Sequence, residues 1–332
     1  MYELLGICVA LAALLVLNAG ASMASAVFWR LFAPVMRQIS ARTRADVLFT
    51  MRLAAPTLAA IIVGLFLIPA YLSYEPRSTS EIVSKKLAAL AMLSLGAVAF
   101  AFWRTIRTSL ATRNLRNDWL ARSERIELPG VTIPAFRVAH RFPIIAVVGS
   151  VRPRLFIASD VLDSLSEEEL AAAIAHECGH LKARDNLKRT VLRLCRDSLL
   201  LAPLGRTVDR AWAETAESAA DEFAAAHGPA MALNLASALV TIVKMIPTGA
   251  RADVPLAAYL VGAEGQGVKV RIRRLIEMAS TDQHHRSRAS FMPLVPMIST
   301  AAFLVFGVAV AGNAKVLLAV HGIIERAVDL LC

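Results

Sequence analysis

Three long apolar stretches constrain the fold of this chain more than any other feature. Each approaches the roughly 20 apolar residues that a helix needs to cross a bilayer. With 57% hydrophobic residues among 332 and a mean hydropathy of +0.56, the chain is too apolar for an ordinary soluble domain. The sequence therefore predicts a membrane protein, mainly α, with three spans within residues 1–104 (about 4–27, 56–72 and 87–103). A fourth span is predicted at about 293–312, in a segment, 290–332, that ends in a short tail.

The basic residues predict the topology. Lysine and arginine number 36 against 26 acidic residues, a net charge of +10. They are concentrated beside the apolar stretches, above all after the first and third, which indicates membrane topology and not nucleic-acid binding. The positive-inside rule places those two segments in the cytoplasm, and the N-terminus and second loop outside. We expect a multi-pass protein of a bacterial-type inner or plasma membrane, in contact with the lipid bilayer, with no nucleic-acid partner.

Residues 105–285 have the pattern of a cytosolic α+β domain. Ser166 and Glu169 form a capping box, the signature of a helix N-terminus. The helix that they open is expected to continue to about Leu201. Short β-type runs separated by glycine and proline precede it and predict a small sheet. These runs are residues 131–138, 143–148 and 154–158.

The predicted helix carries an H-E-x-x-H motif, His176-Glu177-Cys178-Gly179-His180. Helical periodicity places His176 and His180 on one face, where two imidazoles can bind one zinc ion. Glu177 lies about 100° around the helix, within reach of a metal-bound water, whereas Cys178 is turned about 200° from His176 and should point away. Asp185, five residues after His180, is expected to have a structural role. The alternative, a buried structural histidine pair, would not need a glutamate at this position.

A second predicted helix, from about Thr207 to Ala226, offers a third ligand. Glu214, Glu217 and Asp221 lie on one of its faces. Catalytic zinc needs a third protein ligand and an open fourth position, and we interpret Glu217 as that ligand. Asp221, one turn later, would accept the second N–H of a ligand histidine. Alone, this face would be read as a solvated acidic surface; the upstream motif favours the ligand interpretation.

The sequence AHECGHLKARDNL, followed by a distal E-x-x-x-D helix, resembles the integral-membrane gluzincin metallopeptidases. Two related families compete: the beta-lactam-sensor antirepressor peptidases, and the CAAX-prenyl-protease/heat-shock membrane proteases. The segment GSVRPRLFIASDVLDSLSEEELAAAIAHECGH is similar to both, whereas the order of spans is similar to the first. The predicted tail is too short for the sensor in which the antirepressor type ends. Specific motifs occur only from about residue 149 to residue 221.

The resemblance implies a zincin-like metallopeptidase domain that holds one zinc ion per chain. It implies that His176, His180 and Glu217 are the metal ligands, that Glu177 is the general base, and that Asp221 supports a ligand histidine. These implied roles agree with the interpretation drawn above from helical spacing.

The resemblance also bears on substrate binding. It implies that the β-run Pro153–Ala158 binds an extended substrate by strand addition. Arg271-Ile272-Arg273-Arg274-Leu275 fits a distal R-I-x-x-L element of the prenyl-protease type, but the position where that family has a histidine falls near Gly265. The oxyanion stabiliser therefore stays open among three candidates: Arg271, Tyr259 and His227.

These observations predict a membrane-bound zinc endopeptidase that cleaves a protein or peptide substrate, for example a regulator or a membrane protein. Glu177 would take a proton from zinc-bound water and pass it to the leaving amine. The alternative is a non-catalytic membrane signal transducer with a structural zinc site. Such a site is usually closed by four protein ligands, and the sequence offers three. A transporter is disfavoured because the spans carry few ionisable residues. Substrate, trigger and oligomeric state are not specified by the sequence.

Overall fold

The computed structural model of the protein describes residues 1–77, 83–199, 206–246, 265–280 and 313–331. These residues form long helices and one four-stranded sheet. The helices are α1 (Tyr2–Met36), α2 (Ala41–Ile62), α3 (Ile68–Tyr74), α4 (Lys85–Ala121), α5 (Ser159–Ser164), α6 (Glu167–Ala183), α7 (Asp185–Asp197), α8 (Arg206–Ala225), α9 (Pro229–Met245), α10 (Gly265–Ser280) and a C-terminal helix (Ala314–Leu331); the strands are β1 (Ser123–Ile126), β2 (Ala135–Val138), β3 (Ile145–Val148) and β4 (Arg154–Ala158).

Among the described residues, three helices are long and apolar enough to cross a membrane: α1, the continuous helix Ala41–Tyr74, and α4. The continuous helix consists of α2 and α3 joined through a π-helical turn, Val63–Leu67. The three expected spans lie within these helices, and their length and composition indicate that the chain associates with a membrane. The predicted fourth span, about 293–312, lies outside the described residues.

The membrane-length helices extend further than the apolar runs. Helix α1 continues to Met36 and α2 begins at Ala41, where the side chain of Ser40 accepts a hydrogen bond from Thr43 N and caps the helix. The basic segment after the first apolar stretch is therefore helical except for residues 37–40, and most of its arginines lie on helices. Arginine is a good helix former, so a basic run after a span does not by itself end the helix.

The segment expected to be a short tail forms the C-terminal helix. Its Ile324 and Val328 are buried in a cluster with Leu5, Leu67 and Tyr71 from the first membrane-length helices. The tail is therefore part of the helical bundle.

The sheet has the strand order β1-β2-β4-β3. Strand β2 pairs with β4 in parallel, and β4 pairs with β3 in antiparallel register, with Phe156 opposite both Phe136 and Ala146. Both edges of β4 are therefore occupied, so the expected strand addition to Pro153–Ala158 is wrong. Strand β3 is the edge strand beside α6, and the backbone N–H of Val147 donates to Glu177 Oε2 at 3.3 Å.

The sheet and the helices behind it share one hydrophobic core. All four residues of β3 are buried, and helix α9 contributes Leu235, Leu239 and Ile242 to the same core. Helix α9 is thus packed against the domain.

Helix α6 begins where the sequence predicts and ends earlier. The capping box is formed: Ser166 Oγ accepts from Glu169 N at 3.2 Å, and Glu169 Oε2 accepts from Ser166 N at 3.1 Å. The expected continuation to about Leu201 is wrong, because Arg184 adopts the left-handed conformation (φ 54°) and ends the helix. Helix α7 then starts in a new direction at Asp185.

Helix α8 is joined to the first two helices by buried polar contacts. On α2, Arg52 is almost fully buried; its Nε donates to Asp209 Oδ1 at 3.2 Å and its Nη1 donates to Ser22 Oγ at 3.1 Å. At the start of α2, the backbone N–H of Ala41 donates to Glu222 Oε2 at 2.9 Å. These contacts fix α8 against the membrane-length helices.

Gly179 allows α6 and α8 to approach closely. A Cβ at this position would lie 3.1 Å from Ala220 Cα and 3.3 Å from Phe223 Cβ. Because a backbone atom cannot move aside as a side chain can, we expect Gly179→Ala to destabilise the protein by about 1–3 kcal/mol. Thermal unfolding of the full-length protein measures this. Gly267→Ala on α10 is the matched control, since no atom lies within 4 Å of its added Cβ. Equal melting temperatures for the two variants would contradict the close approach.

Candidate metal centre

His176, His180 and Glu217 come together between α6 and α8. One ligand atom from each lies within 4.8 Å of the other two. The Nε2 atoms of His176 and His180 lie 3.6 Å from Glu217 Oε2 and Oε1, respectively. Both imidazoles thus face the same carboxylate, which comes from the helix on which the sequence predicts it.

The other ring nitrogen of each histidine is held by a carboxylate. His176 Nδ1 lies 2.9 Å from Asp221 Oδ1, and His180 Nδ1 lies 2.7 Å from Asp185 Oδ2. In a neutral imidazole, a carboxylate at Nδ1 fixes the proton there, so the Nε2 lone pair is available to a metal. Asp221 thus lies beside the second ring nitrogen of a candidate ligand histidine, as the sequence predicts. Asp185 has the same relation to His180, a contact with a candidate ligand that the expected structural role did not include.

The polar atoms of this centre fit a divalent cation. His180 Nε2 and Glu177 Oε1 are buried and have no hydrogen-bond partner, a costly arrangement unless another group satisfies them. Two imidazoles and one carboxylate are a donor set that zinc accepts, with a fourth position left open. Within the described ranges, no fourth histidine, cysteine or acid joins the group. Cys178 packs against the hydrophobic core.

Glu177 lies beside the cluster and is only 1% exposed. Burial raises the pKa of its carboxyl group, although the two histidines oppose this effect. One carboxylate oxygen accepts from Val147 N, and the other has no partner. A buried carboxylate with a raised pKa is suited to take up a proton near neutral pH.

Two arginines neutralise the carboxylates of the centre. Arg271, on α10, donates from Nε and Nη2 to the two oxygens of Asp221 at 2.9 and 2.7 Å, and its Nη1 lies 3.2 Å from Glu217 Oε2. Arg189, on α7, donates to Glu217 Oε1 at 3.1 Å. Burial opposes ionisation of both acids, but Arg271 and the histidines outweigh it. The pKa of Asp221 is lowered to about 2, and that of Glu217 lies well below its usual value.

The other two candidate oxyanion stabilisers are not placed at the centre. His227, two residues after the end of α8, is exposed, and its Nδ1 lies 3.1 Å from the carbonyl oxygen of Phe223. None of the contacts described for His227 reaches the histidine–glutamate cluster. Tyr259 lies outside the described residues. Arg271 is therefore the candidate that the structure brings to the site.

Comparison with known proteins adds an independent finding. Residues 146–279 match the model of peptidase family M48. A search of curated proteins gives no match. The matched region contains β4, α5–α9 and nearly all of β3 and α10, and so includes every side chain of the centre described above. The region that is similar to peptidase family M48, a family of zincin-type metallopeptidases, is thus the region that holds the His-His-Glu cluster.

Proposed function

We propose that this protein is a membrane-bound zinc endopeptidase that hydrolyses peptide bonds of a protein substrate. The observation that carries the proposal is the convergence of His176, His180 and Glu217 within 4.8 Å, beside the buried carboxylate of Glu177. The family match supports a metallopeptidase, and the choice of zinc rests on the chemistry of the donor set.

Each polar group has a place in the proposed chemistry. Zinc bound by His176, His180 and Glu217 would polarise the scissile carbonyl and lower the pKa of the attacking water. Glu177, through its unpartnered Oε1, takes a proton from that water and donates it to the leaving amine. Arg271 Nη2 lies 3.4 Å from His176 Nε2, so its positive charge would stabilise the negative charge that develops on the oxygen of a carbonyl bound at this centre.

The same geometry argues against the alternative, a transducer with a structural zinc site. A closed structural site has four protein ligands and does not need a base. The cluster here has three among the described residues, and beside it Glu177 is buried with one oxygen unpartnered. This arrangement favours catalysis.

We propose that the catalytic domain lies on the cytoplasmic side. Support comes from the arginines that follow the apolar part of α4, because basic residues flank spans on that side. The proposed division is residues 1–104 in the membrane, 105–285 as the peptidase domain, and 290–332 as a further span with its tail. The first boundary would mark the membrane surface and not the end of an element, since α4 continues to Ala121.

We expect metal affinity to rise with pH. Burial lowers the pKa of His180, but Glu217 and Asp185 outweigh it and raise that pKa from 6.5 to about 10 in the metal-free protein. A metal ion must therefore displace this proton at neutral pH. The apparent dissociation constant should fall by up to about tenfold per pH unit from about pH 7 to about pH 9. Competition with a metal-buffering chelator measures it, and a flat profile would contradict the protonated metal-free state.

The proposed activity is tested in cells that carry either the intact protein or the Glu177→Gln form. Comparison of their proteomes should reveal at least one protein fragment that disappears with the variant. Glu214→Gln is the control, because Glu214 is an exposed glutamate on α8 whose loss should leave the fragment pattern unchanged. Identical fragments from intact and Glu177→Gln cells would count against proteolysis.

A further inference from the structure

A small polar cleft of about 50 Å³ lies between α4 and α7, away from the metal centre. Arg104 and Arg193 line it from opposite helices. Hydroxyl groups complete much of its wall: Thr105, Thr108, Ser109 and Thr190. The threonine hydroxyls donate to backbone carbonyls one turn earlier on their own helices, at 2.8–2.9 Å. Their lone pairs stay available to accept hydrogen bonds from a hydroxylated ligand.

Positive charge predominates around this cleft. Burial, together with the guanidinium groups of Arg196, Arg189 and Arg104, lowers the pKa of Arg193. Asp197 is the one acid that lines the cleft, and it is shared between Arg104 at 3.1 Å and Arg196 at 3.3 Å. An anion between Arg104 and Arg193 would reduce the repulsion among these groups.

An adjoining cleft on α4 has an aromatic wall. It shares Arg104 and Thr108 with the first cleft and adds Phe100, Trp103 and Arg107. The Arg107 guanidinium lies over the Trp103 ring, 5.3 Å from its centroid. Both aromatic rings are exposed, and they lie at the end of the apolar part of α4. Exposed aromatics at this position are typical of the membrane–water interface, where lipid headgroups lie.

We propose that the two clefts form one binding site for an anionic phospholipid with a hydroxylated headgroup. Its phosphate binds among Arg104, Arg107 and Arg193, its headgroup hydroxyls donate to the threonines, and an acyl chain packs along Phe100 and Trp103. Basic pockets beside membrane helices bind such headgroups in this way.

Helix α7 connects this site to the metal centre. Besides Thr190 and Arg193, it carries Asp185, which contacts His180, and Arg189, which contacts Glu217. Bound lipid would therefore steady the helix that orients two of the three proposed metal ligands.

The test uses the full-length protein in nanodiscs of phosphatidylcholine, with or without phosphatidylglycerol. We expect phosphatidylglycerol to raise the melting temperature and to be retained in native mass spectrometry. Arg193→Gln should weaken its retention roughly fivefold, the effect of one interfacial charge, whereas Arg193→Lys should keep most of it. Arg113→Gln is the matched control, because this exposed arginine on α4 lines neither cleft.

Arg107→Gln provides a second variant, since Arg107 is exposed and its replacement should not affect folding. It should also weaken retention roughly fivefold. Unchanged retention by Arg107→Gln, or an equal loss in Arg113→Gln, would overturn the proposal. Inorganic phosphate added to phosphatidylcholine nanodiscs should have no effect. If it stabilises the protein as much as phosphatidylglycerol does, the ligand is free phosphate and the lipid assignment is wrong.

Discussion

Replacing Glu177 with glutamine is expected to abolish peptide hydrolysis while the protein still binds its metal ion. The glutamine side chain keeps the shape of the glutamate but cannot take up a proton from water. Loss of a general base costs about 10²- to 10⁴-fold in rate. Metal affinity should change little, because Glu177 is not part of the ligand cluster. Peptide cleavage and metal content, measured on the same purified full-length protein, test both parts of this expectation.

Glu214→Gln is the matched control for this experiment. It makes the same chemical change on α8 at an exposed position and should retain both cleavage and metal. If Glu177→Gln cleaves peptides as fast as the intact protein, Glu177 is not the base. If both variants lose activity equally, the effect is not specific to the site.

Glu217→Ala is expected to release the metal ion. Removal of a residue that supports a ligand typically costs 10- to 100-fold in metal affinity, so we expect loss of a ligand itself to exceed about 100-fold. The variant also leaves Arg189 and Arg271 without one of their anionic partners, which disfavours a cation further. Equilibrium dialysis against buffered zinc measures the change.

Two variants make this measurement specific. Asp221→Asn removes the carboxylate charge that holds His176 and should weaken binding by about 10- to 100-fold, less than Glu217→Ala. Glu214→Ala should leave binding unchanged. Metal retention by Glu217→Ala at the level of the intact protein would exclude Glu217 as a ligand.

The parts of the centre that follow helical periodicity are the parts that sequence could predict. His176 and His180 are one turn apart on α6, and Glu217 and Asp221 are one turn apart on α8. Spacing therefore places each pair on one face. The two faces meet because α6 and α8 approach closely at Gly179. The small residues of α8 are compatible with close packing, but they do not predict where the two helices touch.

Asp185 and Arg189 could not be predicted in this way. They reach the centre because the chain leaves the helical path at Arg184, a left-handed residue that is not glycine and gives no signal in sequence. An acid five residues after His180 would lie on another face if α6 continued. The tertiary turn, and not the spacing, brings Asp185 to His180.

The sheet and the long helices also have features that the sequence does not predict. Strand β1, with the sequence Ser-Glu-Arg-Ile, lacks the apolar run by which β3 and β4 are recognised, because it is a half-exposed edge strand. Likewise, the apolar runs locate the membrane-length helices but not their ends. Helix α4 continues to Ala121, eighteen residues beyond the expected end of the span, through a mixed segment in which Leu115 and Trp119 pack against the core of the sheet.

The most direct test of the central claim is X-ray absorption spectroscopy of the zinc-loaded full-length protein. If His176, His180 and Glu217 hold the ion, one zinc per chain should show two nitrogen ligands at about 2.0–2.1 Å and oxygen ligands at about 2.0–2.2 Å. The nitrogen contribution should disappear in the His176→Ala, His180→Ala double variant. A sulfur contribution at about 2.3 Å, or a spectrum unchanged by that double variant, would place the metal elsewhere and contradict the assignment.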